Sequence, residues 1–147
     1  GPTVAPPPVA GQTIRVESAR EMAEAVAAAS RDADVLIMAA AVADFRPESA
    51  ATSKIKKGPG ADAPVIALAR NPDILASVDA PGLIKIGFAA ETDDLLANAA
   101  DKLRRKNLAM IVFREGDPEP LPVMPKADLA RVIVDRAGRL LGDARDA

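Results

Sequence analysis

Two residue types that carry much of enzyme chemistry are missing, because the 147-residue chain contains neither cysteine nor histidine. Without cysteine the protein has no disulfide, no thiol nucleophile and no thiolate ligand for a metal. Without histidine it lacks both the commonest general base and the commonest metal ligand. Any chemistry must therefore rest on Asp, Glu, Lys, Arg, Asn, Ser and Thr side chains and on the backbone.

Aromatic residues and an excess of one charge are also lacking. Aromatic residues make up 2% of the chain and hydrophobic residues 49%, so the core must consist of Ala, Val, Leu and Ile. A net charge of −2 provides no basic field that would hold nucleic acid. No apolar run approaches the roughly 20 residues of a membrane span, and no signal peptide is visible. We therefore expect a cytoplasmic protein with a single domain over residues 1–147 that binds neither nucleic acid nor membranes.

Hydrophobic periodicity predicts strands that alternate with helices after a proline-rich linker at residues 1–11. The predicted strands cover residues 13–16, 35–42, 65–69, 84–90, 108–112 and 121–124. One predicted helix follows the cap Ser18, where Glu21 completes a capping box. Three further helices are predicted at residues 73–78, 93–106 and 126–136. Loops are expected at residues 46–63 and 115–119, and a frayed tail from residue 138. This alternation is typical of an α/β protein with a doubly wound, mostly parallel sheet.

The chain is organised around residues 39–57, which follow an apolar run that predicts a buried central strand. The carboxylate of Asp44 and the ring of Phe45 come next, and a lysine cluster follows at Lys54, Lys56 and Lys57. Ligands of open α/β sheets bind outside the carboxyl ends of the strands. This pattern favours a phosphorylated ligand, with Asp44 for hydroxyls or a metal and the lysines for phosphate. The alternative is a solvated loop in which Asp44 only forms a turn.

Two further segments have both a structural and a functional interpretation. Asn71-Pro72-Asp73 predicts a helix start, with Pro72 at the first helical position, and that start either faces the same crevice or is only a helix start. Residues 87–92 end a predicted strand, where small residues permit either a flat ligand or tight helix packing. The basic residues 104–106 are explained by the helix dipole and have no predicted site role. The chain has no G-x-G-x-x-G motif and no P-loop.

Four motifs occur in an order that resembles a known family. They are AAAVADF at residues 39–45, KIKK at 54–57, NPDI at 71–74 and GFAAET at 87–92, with a weaker match of KNL at 106–108. Together they resemble the bacterial, CTP-dependent phosphopantothenate–cysteine ligases, also called phosphopantothenoylcysteine synthetases. In this family the ligase is the synthetase domain of a bifunctional coenzyme A biosynthesis protein.

The resemblance implies a Rossmann-like, three-layer α/β/α fold, a homodimer and a reaction in two steps. The carboxylate of 4′-phosphopantothenate first attacks the α-phosphate of CTP, which forms an acyl-cytidylate and releases pyrophosphate. The amine of cysteine then displaces CMP. The family uses a divalent cation, so we expect Mg²⁺ besides the three small-molecule substrates.

The resemblance also assigns site residues. It implies that Lys54 is catalytic and that Asp44 lies near the ribose or the metal. The implied nucleotide-binding residues are Ala40, Ala41, Val42, Asp44, Phe45, Lys54, Lys56, Lys57, Asn71, Pro72, Asp73, Ile74, Phe88, Ala89 and Ala90. No histidine base is required, because the main task is to neutralise charge at phosphorus.

The sequence departs from the family pattern at two points. The family's Gly-Gly-Thr turn and Asn-x-Ser-Ser-Gly-Lys segment, which bind the triphosphate, are not found, and neither is its Asn-Asp-Val dimer segment. We therefore expect an incomplete ligase domain. The alternative is a non-catalytic nucleotide-binding or dimerisation module of the same fold. An unrelated dinucleotide-binding protein is disfavoured by the missing glycine fingerprint.

Overall fold

The computed structural model describes residues 11–54, 65–89, 95–113 and 121–146. It is an α/β structure of four α-helices, one short 3₁₀ helix and five strands within those ranges. In chain order these are α1 (Ala19–Ala29), the 3₁₀ turn (Ser30–Asp32), β1 (Val35–Met38), β2 (Phe45–Pro47), β3 (Leu68–Arg70), α2 (Ile74–Ser77), β4 (Ile84–Ala89), α3 (Leu95–Lys106), β5 (Met110–Phe113) and α4 (Lys126–Arg145).

Three strands form a parallel sheet in the order β1-β4-β5. The register joins Met38 of β1 to Gly87 of β4, and Ala89 of β4 to Phe113 of β5. Because the strands are parallel, their carboxyl ends meet at one edge of the sheet. The strands β2 and β3 form a separate antiparallel ribbon, with Phe45 opposite Arg70.

The central strand β4 is buried on both faces, and its side chains alternate between two helices. Ile84 and Ile86 form the core cluster with Ala137 of α4. On the other face, Lys85 and Gly87 contact the short helix α2. The sheet therefore carries helices on both faces, as the α/β prediction requires.

The capping box of α1 is confirmed. The backbone N–H of Glu21 donates to Ser18 Oγ over 3.2 Å, and the hydroxyl of Ser18 donates to the Glu21 carboxylate over 2.8 Å. The same carboxylate accepts from the Glu17 N–H over 2.9 Å. The Glu17 N–H, followed by the Ser18 hydroxyl, lowers the pKa of Glu21.

The start of α2 differs from the prediction by one position. Asp73 is the cap, and its Oδ1 accepts from the Ala76 N–H over 3.2 Å. Pro72 therefore precedes the cap and is not the first helical residue. The carboxylate determines this start, because a short Asp side chain satisfies a free N–H of the first turn.

Two predicted strands are wrong, and three others are shifted or shortened. Residues 13–16 and 121–124 form no strand, since neither segment pairs with any strand of the described chain. The strand predicted at residues 35–42 ends at Met38, because pairing with β4 stops there. The strand predicted at 65–69 is shifted to Leu68–Arg70 by its pairing with β2, which lies at the start of the predicted 46–63 loop. The strand predicted at residues 108–112 is shifted to Met110–Phe113.

The last helix is longer than predicted, since α4 continues through Gly138 to Arg145. Ala137, Leu140 and Leu141 pack on the sheet and hold the helix beyond the glycine. Arg145 also pairs with Asp34 at 3.2 Å. The polar turn predicted at residues 115–119 lies outside the described residues.

Among the helices of the described ranges, none combines the length and the apolar character that crossing a membrane requires.

Candidate functional site

A cleft of about 210 Å³ opens where β1 ends. Its walls come from the β1–β2 loop, the start of α2, the end of β4 and one side of α3. The lining residues are Met38, Ala40, Ala41, Val42, Ala43, Asp44, Pro72, Asp73, Ile74, Leu75, Phe88, Lys102 and Lys106. The cleft thus lies at the carboxyl edge of the sheet, where an open α/β sheet binds its ligand.

Most of the predicted nucleotide-binding residues meet in this cleft. Those that line it are Ala40, Ala41, Val42, Asp44, Pro72, Asp73, Ile74 and Phe88. Phe45 and Asn71 line an adjoining cavity. Lys54 is exposed, and neither Lys54 nor Ala89 lines either space. Lys56, Lys57 and Ala90 lie outside the described residues.

Asn71 fixes the loop that carries Asp44. Its side-chain amide donates to Ala43 O over 2.8 Å, and its backbone N–H donates to Asp44 O over 2.8 Å. Its side-chain oxygen accepts from Arg46 over 3.1 Å, and Arg46 also donates to the carbonyl of Arg70. Asn71 therefore shapes the cleft through backbone contacts as well as lining the adjoining cavity.

Asp73 joins α2 to α3 across the cleft. Its Oδ2 lies 2.7 Å from Lys106 Nζ, while Oδ1 accepts from the Ala76 N–H. Partial burial raises the pKa of Asp73, but the hydrogen bonds from Lys106 and from the Ala76 N–H outweigh that effect, and the pKa lies below its usual value. Asp73 is therefore an ionised carboxylate that is already neutralised by a lysine.

Two lysines of α3 were missed by the sequence analysis. Lys102 and Lys106 are four residues apart, so they lie on one side of the helix, and both line the cleft. Lys106, which the sequence analysis explained by the helix dipole alone, therefore also lines the cleft. Their i, i+4 spacing could have indicated that both lysines lie on one side of the helix. The position of this helix after a parallel strand could have indicated that this side faces the cleft.

Asp44 is a carboxylate of the cleft that has no side-chain partner among the described residues. Its side chain is exposed, and no residue of the described ranges donates a hydrogen bond to it. The described residues contain no group of three or more acidic side chains that could hold a metal by themselves. A cation at Asp44 would need its other ligands from a phosphorylated ligand and water, which is how Mg²⁺ commonly binds.

The adjoining cavity has a volume of about 370 Å³ and lies against the β2–β3 ribbon. It is lined by Asp44, Phe45, Arg70, Asn71 and Asp73. The guanidinium carbon of Arg70 lies 5.7 Å from the centre of the Phe45 ring. Since Asp44 and Asp73 line both spaces, a group bound in the cavity would be next to one bound in the cleft.

A buried lysine supports the helix that carries Asp73. Lys85 is 6% exposed, and its Nζ donates to Val78 O over 2.9 Å and to Leu75 O over 3.3 Å. A Cβ on Gly87 would lie 2.9 Å from Leu108 and 3.0 Å from Leu75. The packing interpretation of Gly87 is therefore the one that the structure supports.

Comparison with known proteins gives one family and relatives that share one name. Residues 1–117 match the family described as DNA/pantothenate metabolism flavoprotein C-terminal domain. The coenzyme A biosynthesis bifunctional protein CoaBC of Vibrio vulnificus (strain YJ016) is 44% identical over 114 residues, covering 76% of this chain. The protein of the same name from Mycobacterium tuberculosis (strain ATCC 25618 / H37Rv) is 46% identical over 117 residues, covering 71% of this chain. The match spans 28% of the length of each relative.

The fold is similar to that of a solved structure. A crystal structure of the C-terminal domain of coenzyme A biosynthesis bifunctional protein CoaBC superposes with a TM-score of 0.79 at 35% sequence identity. The superposition covers 97% of this chain and 72% of that chain.

Proposed function

Because the chain belongs to the DNA/pantothenate metabolism flavoprotein C-terminal domain family, we propose that it is the synthetase part of a CTP-dependent phosphopantothenate–cysteine ligase. In the first step the carboxylate of 4′-phosphopantothenate attacks the α-phosphate of CTP and pyrophosphate leaves. In the second step the amine of cysteine attacks the acyl carbon and CMP leaves. This reaction belongs to coenzyme A biosynthesis and proceeds in the cytoplasm, where CTP and cysteine are available.

The observation that supports this proposal best is the composition of the cleft. It brings Asp44, a carboxylate without an ion-pair partner in the described part of the chain, together with Lys102, Lys106 and the start of α2. A triphosphate carries several negative charges, and charge builds up on its oxygens as the acyl–phosphate bond forms. Fixed cations in a cleft favour that charge more than solvent does. The small side chains at residues 39–43 would let the nucleotide base approach the backbone.

Asp44 suits a Mg²⁺ ion better than Asp73 does, because Asp73 is already paired with Lys106. When bound, Mg²⁺ would supply a Lewis acid for the phosphate oxygens. Asp44 would hold the ion or the ribose hydroxyls and Lys102 would hold the phosphates, while Lys106 lies beside them in its ion pair with Asp73. Lys54 remains our candidate for the catalytic cation, and Lys56 and Lys57 remain our candidates for binding phosphate.

The remaining parts of the proposal follow from family membership. We expect a homodimer, and we expect the parallel sheet of the described residues to be part of a Rossmann-like, doubly wound sheet with three layers. The solved relative that covers 97% of this chain at a TM-score of 0.79 supports the sheet arrangement.

The test is pyrophosphate release by the purified protein. Release should require both CTP and 4′-phosphopantothenate, and it should not require cysteine in a single turnover. Protein that binds CTP in a thermal-shift assay but never releases pyrophosphate would be the non-catalytic module. A preference for NAD over CTP would contradict the family-based function altogether.

Lys54→Ala tests the role of the predicted catalytic lysine. Lys54 is exposed, so its replacement should abolish pyrophosphate release while the melting temperature stays nearly unchanged. Lys126→Ala is the matched control, because Lys126 is also exposed and begins α4, outside both spaces. Full activity of Lys54→Ala, or a large loss of its melting temperature, would show that Lys54 has no catalytic role.

A further inference from the structure

We propose that the cavity beside the nucleotide cleft is the subsite for cysteine, and that Arg70 binds the α-carboxylate of this amino acid. This inference rests on the proposed ligase function and names the place of its second substrate. Two observations carry it: the Arg70 guanidinium lies over the Phe45 ring, and the cavity that both line shares two lining residues with the cleft.

The position of Arg70 is fixed from two sides. Its backbone is paired with Phe45 in the β2–β3 ribbon, and its carbonyl accepts a hydrogen bond from Arg46. Its guanidinium lies over the Phe45 ring at 5.7 Å. Stacking on an aromatic face leaves the edge of a guanidinium available for a planar, bidentate partner such as a carboxylate.

The guanidinium of Arg70 has no anionic partner in the described part of the chain. Asp44 and Asp73 line the same cavity, but neither forms an ion pair with it. Arg46, in contrast, is committed to the Arg70 carbonyl and to Asn71. Arg70 is therefore the cation of this cavity that can receive an external anion.

The place of the cavity and the chemistry of the two substrates favour an amino acid as the source of that anion. A volume of about 370 Å³ is ample for cysteine, whose carboxylate lies beside its reacting amine. In 4′-phosphopantothenate the carboxylate is itself the reacting group, and the phosphate lies at the far end of the molecule. Asp44 and Asp73 line both the cavity and the cleft, so the two spaces share this wall. A carboxylate held by Arg70 would thus leave the α-amine near the shared wall, facing the acyl-cytidylate.

The step itself balances without a further reagent. The lone pair of the neutral α-amine forms the new C–N bond at the acyl carbon, and the bond between that carbon and the phosphate oxygen breaks. The electron pair leaves with CMP, and the proton lost by the amine passes to solvent. Arg70 does not take part in the bond changes, so its role is to bind and orient cysteine.

The test compares cysteine with cysteamine, which has the same amine and thiol but no carboxylate. In the intact protein cysteine should be the better substrate. Arg70→Met should lower kcat/KM for cysteine by about 10- to 100-fold, the effect expected for a charge-assisted hydrogen bond, and should leave kcat/KM for cysteamine within about twofold. Arg70→Lys should recover part of the loss for cysteine. Arg20→Met on α1, an exposed arginine away from both spaces, should change neither value.

Other outcomes would overturn the subsite. Equal losses for cysteine and cysteamine would mean that Arg70 acts through the structure of the ribbon. A raised KM for 4′-phosphopantothenate with an unchanged KM for cysteine would assign Arg70 to the other substrate. Pyrophosphate release in the absence of cysteine tests the ligase function by itself. A ligase should release pyrophosphate even if Arg70 does not bind cysteine, so failure of the subsite can be told from failure of the proposed function.

Discussion

The central strand β4 and the β2–β3 ribbon both carry residues of the site, but they are held in opposite ways. Residues 84–87 of β4 are buried without interruption, and Ile86 is 0% exposed. In the ribbon, Phe45 is 51% exposed and Leu68 is 60% exposed. The sheet is therefore defined by packing, whereas the described part of the ribbon depends on its own ladder and on the polar contacts of Asn71 and Arg46.

The buried sheet therefore supports the site, whereas the exposed residues in front of it provide the groups that would contact a ligand. Behind the cleft, Lys85 and Gly87 fix α2 through two carbonyl contacts and a close approach of side chains. In front of it, Asp44 and Arg70 are exposed and have no ion-pair partner in the described ranges. Substitutions at the back should change stability, and those at the front should change binding and turnover.

The largest expected effect is the loss of stability in Ile86→Ala. Its side chain is fully buried in the core cluster, so truncation should lower the free energy of unfolding by about 2–5 kcal/mol. Phe45→Ala is the matched ribbon variant, and removal of its exposed ring from Arg70 should cost less than about 1 kcal/mol. Urea titration of both variants measures the two values.

The comparison of sheet and ribbon would fail if Phe45→Ala lost as much stability as Ile86→Ala. That result would mean that the ribbon contributes to the cooperative core in spite of its exposure. An unchanged m-value in both variants is the control that unfolding remains two-state.

A second, smaller effect is expected where the sheet meets α2. In Gly87→Ala the new methyl group would lie within 3.0 Å of Leu75 and Leu108, so overpacking should cost about 1–3 kcal/mol. In α4, Gly138 has no atom within 4 Å of the added Cβ. Gly138→Ala should therefore gain about 0.5–1 kcal/mol through helix propensity. Thermal unfolding of the two variants measures the loss of stability in Gly87→Ala and the gain in Gly138→Ala.

Equal melting temperatures for Gly87→Ala and the parent protein would show that Leu75 and Leu108 give way without cost. The packing explanation of Gly87 would then be wrong, and close approach of a ligand would be the better reason for a glycine there.

The sequence predicted the elements whose signals are local and strong. Strand β4 is an apolar run, α3 ends in basic residues, and the capping box of α1 lies within four residues. The ribbon was missed in part because β2 and β3 are three residues each, and their pairing joins segments more than twenty residues apart. The length of α4 was missed because tertiary packing overrode the glycine that suggested fraying.

The site was predictable where a motif marked it and unpredictable where only the fold did. Asp44 and Phe88 meet in one cleft because parallel strands bring their carboxyl ends to one edge, and Asp73 lines the same cleft from the start of α2. Lys102 reaches that cleft from the side of a helix, and no strand-end rule points to such a residue. Arg70 enters the cavity only through its pairing with Phe45, which the sequence did not reveal.

The smallest expected effect concerns the ion pair between Asp73, which caps α2, and Lys106, the last residue of α3. Because the pKa of Asp73 is lowered in the folded state, the unfolded chain binds more protons near and below the usual value of 3.8. The stabilisation is therefore fully present above that value and is lost as the pH falls through the lowered folded pKa. Asp73→Asn keeps a helix-capping side chain but removes the charge. It should reduce the acid-dependent loss of stability by less than about 1 kcal/mol, since the carboxylate is half exposed. Thermal unfolding between pH 2 and pH 7 measures this difference.

Lys106→Met provides the partner variant for a double-mutant cycle. In the Lys106→Met background the effect of Asp73→Asn on the loss of stability at acid pH should shrink. An undiminished effect would show that the cap, and not the lysine, lowers the pKa of Asp73.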